Sequence, residues 1–150
     1  MDSYSLRDLV EVTGAKRRSL QLWADAGVIL AERGTQRAGT GTHRQFSRRE
    51  AIVACIIRPL AERQIAIGEL LALSDRIRLA IVMSPDPFEA AIAGGGETIY
   101  AFESIKRDDI PGGWVHQSTI GPREIFARRT TSWPDIVLAI RLETYLARLR

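Results

Sequence analysis

The chain has 150 residues, of which 45% are hydrophobic, 26% charged and 7% aromatic, a composition that excludes collagen, disulfide-rich scaffolds and disordered chains. Its net charge is +3, and its single cysteine, Cys55, excludes an internal disulfide and a multi-cysteine metal site. The sequence shows neither an apolar run long enough for a membrane span nor a signal-peptide pattern, so we expect a cytoplasmic protein.

Positive charge is concentrated near the N-terminus. Residues 1–64 carry eleven Lys and Arg against seven Asp and Glu, which gives +4, so the remaining residues sum to −1. Between residues 16 and 49, eight basic residues face two acidic ones, which gives a local charge of +6. Such a stretch is typical of a nucleic-acid interface, although a solvated basic surface gives the same count.

The first predicted elements are two short helices joined by a tight turn. Ser5 has the position of an N-cap for a helix over about 6–13, and Gly14 ends that helix because glycine readily takes the left-handed conformation. A second helix follows over about 16–26, with its basic residues at the start. Its apolar face is formed by Leu20, Trp23 and Ala24. Two helices in this order predict a helix-turn-helix.

The next segment predicts a wing and a third helix. Residues 28–46 begin with an apolar run and continue through a stretch rich in Gly and Thr, which indicates a β-hairpin wing. Ser47 and Glu50 have the spacing of a capping box and predict a helix that runs to about Arg63. Pro59 is expected to bend or end that helix, and Cys55 is expected to be buried on its apolar face.

These elements resemble the MerR family of bacterial winged-helix transcription regulators over about residues 4–82. The most specific motif is the exit from the wing, Gly-x-x-Arg-x-aromatic-Ser. The matching segments are Tyr4-Ser5-Leu6, Thr13-Gly14, Leu20-Gln21-Leu22-Trp23, Ala26-Gly27-Val28-Ile29, Gly41-Thr42-His43-Arg44-Gln45-Phe46-Ser47 and Gln64-Ile65-Ala66-Ile67-Gly68-Glu69-Leu70-Leu71. The resemblance implies binding to double-stranded DNA.

The second helix departs from the family pattern. The family usually has Leu-Arg-Tyr-Tyr-Glu there, whose Arg and aromatic groups contact DNA, whereas residues 20–24 of this chain are Leu-Gln-Leu-Trp-Ala. We therefore expect an altered sequence preference, with Gln21 able to contact a phosphate or read adenine. The predicted DNA-binding residues are Lys16, Arg17, Arg18, Gln21, Trp23, Arg37, His43 and Arg44. For Trp23, a position in the core is the alternative.

A fourth helix over about 67–82 has an apolar stripe at the spacing of a coiled-coil seam. The family resemblance implies a homodimer formed through this helix. The predicted dimerisation residues are Leu70, Leu73, Ile77, Ala80 and Ile81. Packing of the stripe on the C-terminal segment of the same chain is the alternative interpretation.

The segment Ser84-Pro85-Asp86-Pro87 marks the start of a second unit. The pattern predicts a helix over 88–93, strands over 97–105, 114–120 and 136–142, and helices over 123–129 and 144–150. Four aromatic residues either line an effector pocket or form the core: Tyr100, Phe102, Trp114 and Trp133. The sequence lacks a catalytic triad, a metal cluster and a cofactor motif, so we expect no enzyme activity, no metal and no cofactor.

Together these patterns predict a mostly α protein with small β elements. It comprises a winged helix-turn-helix DNA-binding domain over 1–64, a dimerisation helix over 65–84 and a small α+β domain over 85–150. The expected function is that of a transcription regulator that binds a palindromic site as a homodimer in the nucleoid. RNA polymerase or a small-molecule or protein effector would act at 85–150. The alternatives are an excisionase-type DNA-bending factor and a protein-interaction adaptor.

Overall fold

A computed structural model describes residues 3–35, 43–128 and 134–150. The chain divides into two compact units, with residues 1–83 and 148–150 in unit 1 and residues 84–147 in unit 2. Of the described residues, 51% are helical and 22% lie in strands, so the fold is a mixture of helices with two small sheets.

Unit 1 is mainly helical. Its elements are β1 (Ser3–Ser5), α1 (Leu6–Thr13), α2 (Arg17–Asp25), β2 (Gln45–Ser47), α3 (Arg48–Glu62) and α4 (Ile67–Met83). The predicted start of α1 is confirmed: the Ser5 side chain accepts from the Asp8 backbone N–H, and the Asp8 carboxylate accepts from the Ser5 N–H. Gly14 ends α1 with a φ of 68°, the left-handed conformation that was predicted.

The core of unit 1 is built around α3. Every side chain from Glu50 to Ile57 is buried, because α1, α4 and the small sheet all pack against this helix. Pro59 lies inside α3, which continues to Glu62, close to the predicted end at about Arg63; of the two expected outcomes, a bend or an end, the structure excludes the end. The proline falls in the last turns, where only one intrahelical hydrogen bond is lost.

The two-stranded sheet differs from the predicted hairpin. β2 pairs antiparallel with β1, with Tyr4 opposite Phe46, and both of these side chains are buried. Among the described residues, the segment after α2 contributes one backbone–backbone hydrogen bond to β2, from the Glu32 N–H to the Gln45 carbonyl at 2.7 Å. Residues 36–42, where the centre of the predicted wing falls, lie outside the described residues.

The apolar stripe of α4 packs within unit 1. Leu70, Leu73 and Ile77 are 2%, 8% and 0% exposed, and α4 lies against α3. The assignment of these three residues to a dimer interface was therefore wrong, because their contacts are intramolecular. Ala80 and Ile81 are half-buried. Seam spacing shows that a helix has a partner, but it does not show which chain supplies that partner.

Unit 2 is an antiparallel sheet with short helices. Its elements are α5 (Asp86–Ala93), β3 (Thr98–Lys106), β4 (Trp114–Pro122), α6 (Arg123–Ala127), β5 (Ile136–Arg141) and α7 (Leu142–Leu146). A 3-10 turn over Ala147–Leu149 follows α7 in the chain, and residues 148–150 belong to unit 1. The strand order is β4-β3-β5. Tyr100 on the central strand is fully buried between Phe102, whose ring centre is 4.7 Å away, and Phe88, at 6.0 Å.

Candidate nucleic-acid interface

The polar side of α2 carries a compact group of basic residues. Leu20 and Trp23 are 0% and 4% exposed, which fixes the rotation of the helix and turns the opposite side outward. The residues exposed on that side and at its start are Lys16, Arg17, Arg18 and Gln21, which we call the α2 basic face. Gln21 lies one turn after Arg17 and Arg18 and shares their side of the helix.

The cations of the α2 basic face have no acidic partner among the described residues. Lys16, Arg17 and Arg18 make no salt bridge with any residue in the described part of the chain. Three adjacent positive charges therefore lie at the N-terminus of a helix, where the helix dipole is also positive. An anionic ligand is the partner that such a site favours, and phosphate groups are the form most suited to it.

Trp23 does not belong to this face. Its side chain is 4% exposed, and its carbonyl oxygen accepts hydrogen bonds from the N–H groups of Val28 and Ile29 at 2.8 and 3.3 Å. The residue that was predicted to contact DNA therefore lies in the core and supports the end of α2, as in the alternative interpretation.

Arg44 has a protein partner in the structure. Its Nη2 lies 2.7 Å from Oδ1 of Asp25, and its side chain is 18% exposed. This pair connects the segment before β2 with the last residue of α2. His43 is exposed next to it, and Arg37 lies outside the described residues. Arg44 therefore positions the base of the loop, and phosphate binding by Arg44 stays a prediction.

The ends of the loop that contains residues 36–42 are held together by hydrogen bonds. Thr35 Oγ1 donates to the Glu32 carbonyl at 2.8 Å and accepts from the Gln45 N–H at 3.1 Å. With the bond between Glu32 and Gln45, these contacts place residues 35 and 45 side by side next to the C-terminus of α2. The base of the loop is thus fixed relative to the helix that carries the basic face.

A buried ion pair joins α4 to the segment that follows α2. Arg78 Nε lies 2.8 Å from Glu50 Oε1 and its Nη2 lies 2.9 Å from Oε2, while the same Nη2 donates to the Val28 carbonyl at 2.7 Å. Glu50 Oε2 also accepts from the Leu30 N–H at 2.9 Å. We call these residues the Glu50–Arg78 cluster. Burial disfavours the Arg78 charge, but the hydrogen bonds and charges of Glu50 and Asp75 outweigh it and raise the pKa of Arg78.

Sequence reasoning found Glu50 but assigned it another role. The expected capping box is half formed, because Ser47 Oγ accepts from the Glu50 N–H at 3.3 Å while the Glu50 carboxylate turns to Arg78 and Leu30. The available signal was a glutamate directly before the apolar run 51–57 in α3, together with an arginine next to Ile77 of the apolar stripe in α4. Charged side chains are rarely buried unless they form an ion pair with each other.

Few side chains among the described residues of unit 2 indicate a chemical function. Tyr100 and Phe102 are buried, as the core interpretation predicts, whereas Trp114 is 39% exposed on the edge strand β4. His116 Nδ1 lies 2.8 Å from Ser104 Oγ on the exposed part of the sheet. In the portion that the structure describes, no group of three or more metal-ligating side chains occurs. Trp133 lies outside that portion.

Cys55 is 1% exposed in the middle of α3, as predicted. Burial raises the pKa of the Cys55 thiol to about 12 from an ordinary value of 9.0, although the charges of Arg58 and Arg148 act in the opposite direction. A thiol that stays protonated in this way is neither a good nucleophile nor a metal ligand. The prediction that Cys55 is a shielded apolar group is confirmed.

This shift makes stability depend on pH in alkaline solution. From about pH 9 to 12 the unfolded chain can ionise Cys55 and the folded chain cannot, so the contribution of the thiol to stability, complete below pH 9, is lost as the pH rises. We expect the free energy of unfolding to fall more steeply in the parent than in Cys55→Ala, by up to about 1.4 kcal/mol per pH unit. Urea unfolding of both proteins from pH 8 to 11 measures this difference, and parallel curves would contradict it.

No helix within the described residues is long and apolar enough to cross a membrane. Comparisons of the chain with models of known protein families and with curated proteins gave no match.

Proposed function

We propose that the chain is a sequence-specific DNA-binding protein that regulates transcription through a MerR-like winged helix-turn-helix in unit 1. The observation that carries this proposal is the α2 basic face, which combines Gln21 with three exposed cations that form no salt bridge with any described residue. In helix-turn-helix proteins the N-terminal residues of the second helix contact base edges in the major groove. Backbone phosphates are the natural partners of Lys16, Arg17 and Arg18.

The roles of the individual residues follow from their position. Arg17 and Arg18 neutralise phosphates and orient α2, whereas Gln21, one turn later, reads a base edge, with adenine as its preferred partner. The Glu50–Arg78 cluster holds the segment that follows α2, and the Arg44–Asp25 pair holds the last residue of α2, so both fix the C-terminal end of the helix. The proposed site of action is the nucleoid in the cytoplasm.

Selection from a pool of randomised DNA duplexes tests this function. The full chain is incubated with the pool at 0.15 M salt, bound duplexes are recovered, and their sequences are compared after several rounds. We expect enrichment of a motif that contains two inverted half-sites, as a two-fold symmetric dimer requires. Retention without any enriched motif would remove the claim of sequence specificity, and no retention at all would remove DNA binding.

We place the dimer contact on the outer side of α4. Large apolar side chains are exposed there, with Leu79, Val82 and Met83 at 63%, 61% and 73% exposure and Leu71 at 38%. Residues 79, 82 and 83 are neighbours on one side of the helix, and Leu71 lies two turns before Leu79. An exposed apolar patch of this kind is typical of a protein–protein contact, and two-fold pairing of α4 with its copy would cover it.

Substitution of Leu79 and Val82 tests this placement. Because both side chains are exposed in the single chain, Leu79→Glu with Val82→Glu is expected to preserve the fold while raising the Kd of the dimer about thirtyfold, as the loss of about 2 kcal/mol of apolar burial implies. Light scattering over a concentration series measures the Kd. The matched control is Ile125→Glu with Ile136→Glu, two exposed apolar residues of unit 2. A dimer that survives in the first variant and dissociates in the control would move the interface to unit 2.

A further inference from the structure

Unit 1 contains a cavity that shares only Lys16 with the α2 basic face. Its volume is about 500 Å³, within the range of about 300–1,000 Å³ that is usual for small-molecule sites. The wall is formed by the turn before α2, by α2 itself, by the end of α3 and by the start of α4. We call it the α2–α3 cavity.

One side of the cavity is apolar. It is lined by Leu22, Trp23, Ile65, Ile67 and Leu70. Leu22 and Ile67 remain 57% and 42% exposed, so this wall presents apolar surface to water in the free protein. Trp23 contributes from the core side. An apolar body that enters here would remove this surface from water and gain the usual free energy of apolar burial.

The charged residues of the cavity wall carry a net positive charge. These residues are Lys16, Arg58 and Glu62, which gives two positive charges and one negative charge. Arg58 already bonds Glu62 at 2.9 Å and the Thr13 carbonyl at 2.6 Å. Lys16 and Ser19, by contrast, have no side-chain hydrogen bond or salt bridge with any residue that the structure describes. The cavity therefore offers an ammonium group and a hydroxyl group that are three residues apart at the start of α2 and have no side-chain partner among the described residues.

We propose that the α2–α3 cavity binds a small amphipathic carboxylate, with its apolar body against Leu22, Trp23 and Ile67 and its carboxylate at Lys16 and Ser19. A single negative charge matches the single available cation. A polyphosphate fits poorly, because Glu62 adds a negative charge to the wall and most of the other lining residues are apolar. Lys16 also belongs to the α2 basic face, so ligand and DNA would compete for it; this consequence alone rests on the proposed function.

Titration of the free full chain with octanoate, without DNA, tests the site independently of DNA binding. Amide and indole signals in ¹H–¹⁵N spectra report the position, and the Trp23 indole signal is assigned by its loss in Trp23→Phe. We expect saturable shifts of the Ser19 amide and the Trp23 indole. Octanol, which has the same chain without the charge, should bind more weakly.

Two variants distinguish the contribution of the Lys16 charge from that of the free volume of the cavity. Lys16→Ala is expected to weaken octanoate binding about threefold to fivefold, as loss of a partly exposed charge pair implies, and to leave octanol binding unchanged. Lys106→Ala, an exposed lysine of unit 2, is the matched control and should bind octanoate like the parent. Ala61→Phe places a ring in the cavity and should abolish both shifts while the remaining spectrum stays folded.

Three results would overturn the proposal. The first is the absence of saturable shifts at Ser19 and Trp23. The second is equal binding of octanoate and octanol in both the parent and Lys16→Ala, which would leave an apolar cavity without preference for a carboxylate. The third is a shift of the same signals with protein concentration alone, which would identify a second copy of the chain as the occupant.

Discussion

Replacement of Glu50 by glutamine is expected to lower the free energy of unfolding of unit 1 by about 3 kcal/mol, the low end of the range for breaking a buried ion pair. The glutamine has the same shape, but it leaves the Arg78 guanidinium, whose side chain is 11% exposed, without its main counter-charge. We expect a destabilisation at the low end of this range because Asp75 and the Val28 carbonyl remain as partners of Arg78.

Hydrogen exchange of the buried α3 amides measures this loss, because these amides exchange through the larger openings of unit 1. The matched control is Glu62→Gln, which removes the same charge from an exposed pair with Arg58 and should change stability by less than about 1 kcal/mol. The double variant Glu50→Gln with Arg78→Met should be more stable than the sum of the single losses predicts, since neither charge is then left alone. Equal losses in Glu50→Gln and Glu62→Gln would show that the cluster contributes no more than a surface pair.

The second large effect concerns the α2 basic face. Arg17→Ala with Arg18→Ala is expected to weaken binding to a duplex about thirtyfold at 0.15 M salt, if each contact contributes about 1 kcal/mol. The slope of log K against log salt should become shallower by about two, because about one counterion is released for each phosphate contact. Both side chains are exposed, so the fold should not change.

Fluorescence anisotropy with a labelled duplex at several salt concentrations gives both quantities. The matched control is Arg123→Ala with Arg141→Ala, which removes the same charge from two exposed arginines of unit 2. A uniform loss in both variants would mean that net charge alone governs binding. An unchanged slope in the α2 variant, together with a reduced slope in the control, would place the DNA contact on unit 2.

Local signals in the sequence predicted the helices well. The Ser5 cap and Gly14 fixed both ends of α1, and α4 and the three strands of unit 2 lie within about two residues of their predicted positions. The ends of these helices and strands depend on a few neighbouring residues, so the local sequence is sufficient to predict them. The burial of Cys55 and Tyr100 follows from the same periodicity.

The parts that could not be predicted depend on contacts between distant residues. A three-residue strand such as Gln45–Ser47 does not reveal that its partner is Ser3–Ser5. The spacing of the apolar stripe that contains Leu73 and Ile77 is the same whether the stripe packs on α3 or on a second chain. The pairing of Glu50 with Arg78 needs two core positions to meet across 28 residues. In the candidate site, the exposure of each side chain distinguishes a surface residue from a core residue. Arg17 and Gln21 are exposed, whereas Trp23 is buried.

The most direct test of the central claim is to map where DNA meets the chain. ¹H–¹⁵N spectra of the full chain are recorded with increasing amounts of a duplex, at a salt concentration where the complex is saturated. We predict that the largest chemical-shift changes occur at the backbone amides of residues 16–21 and smaller ones near His43. The amide signals of the unit 2 sheet should not shift. Changes confined to residues 84–147, or a spectrum that the duplex leaves unaltered, would contradict the assignment of α2 as the DNA-binding helix.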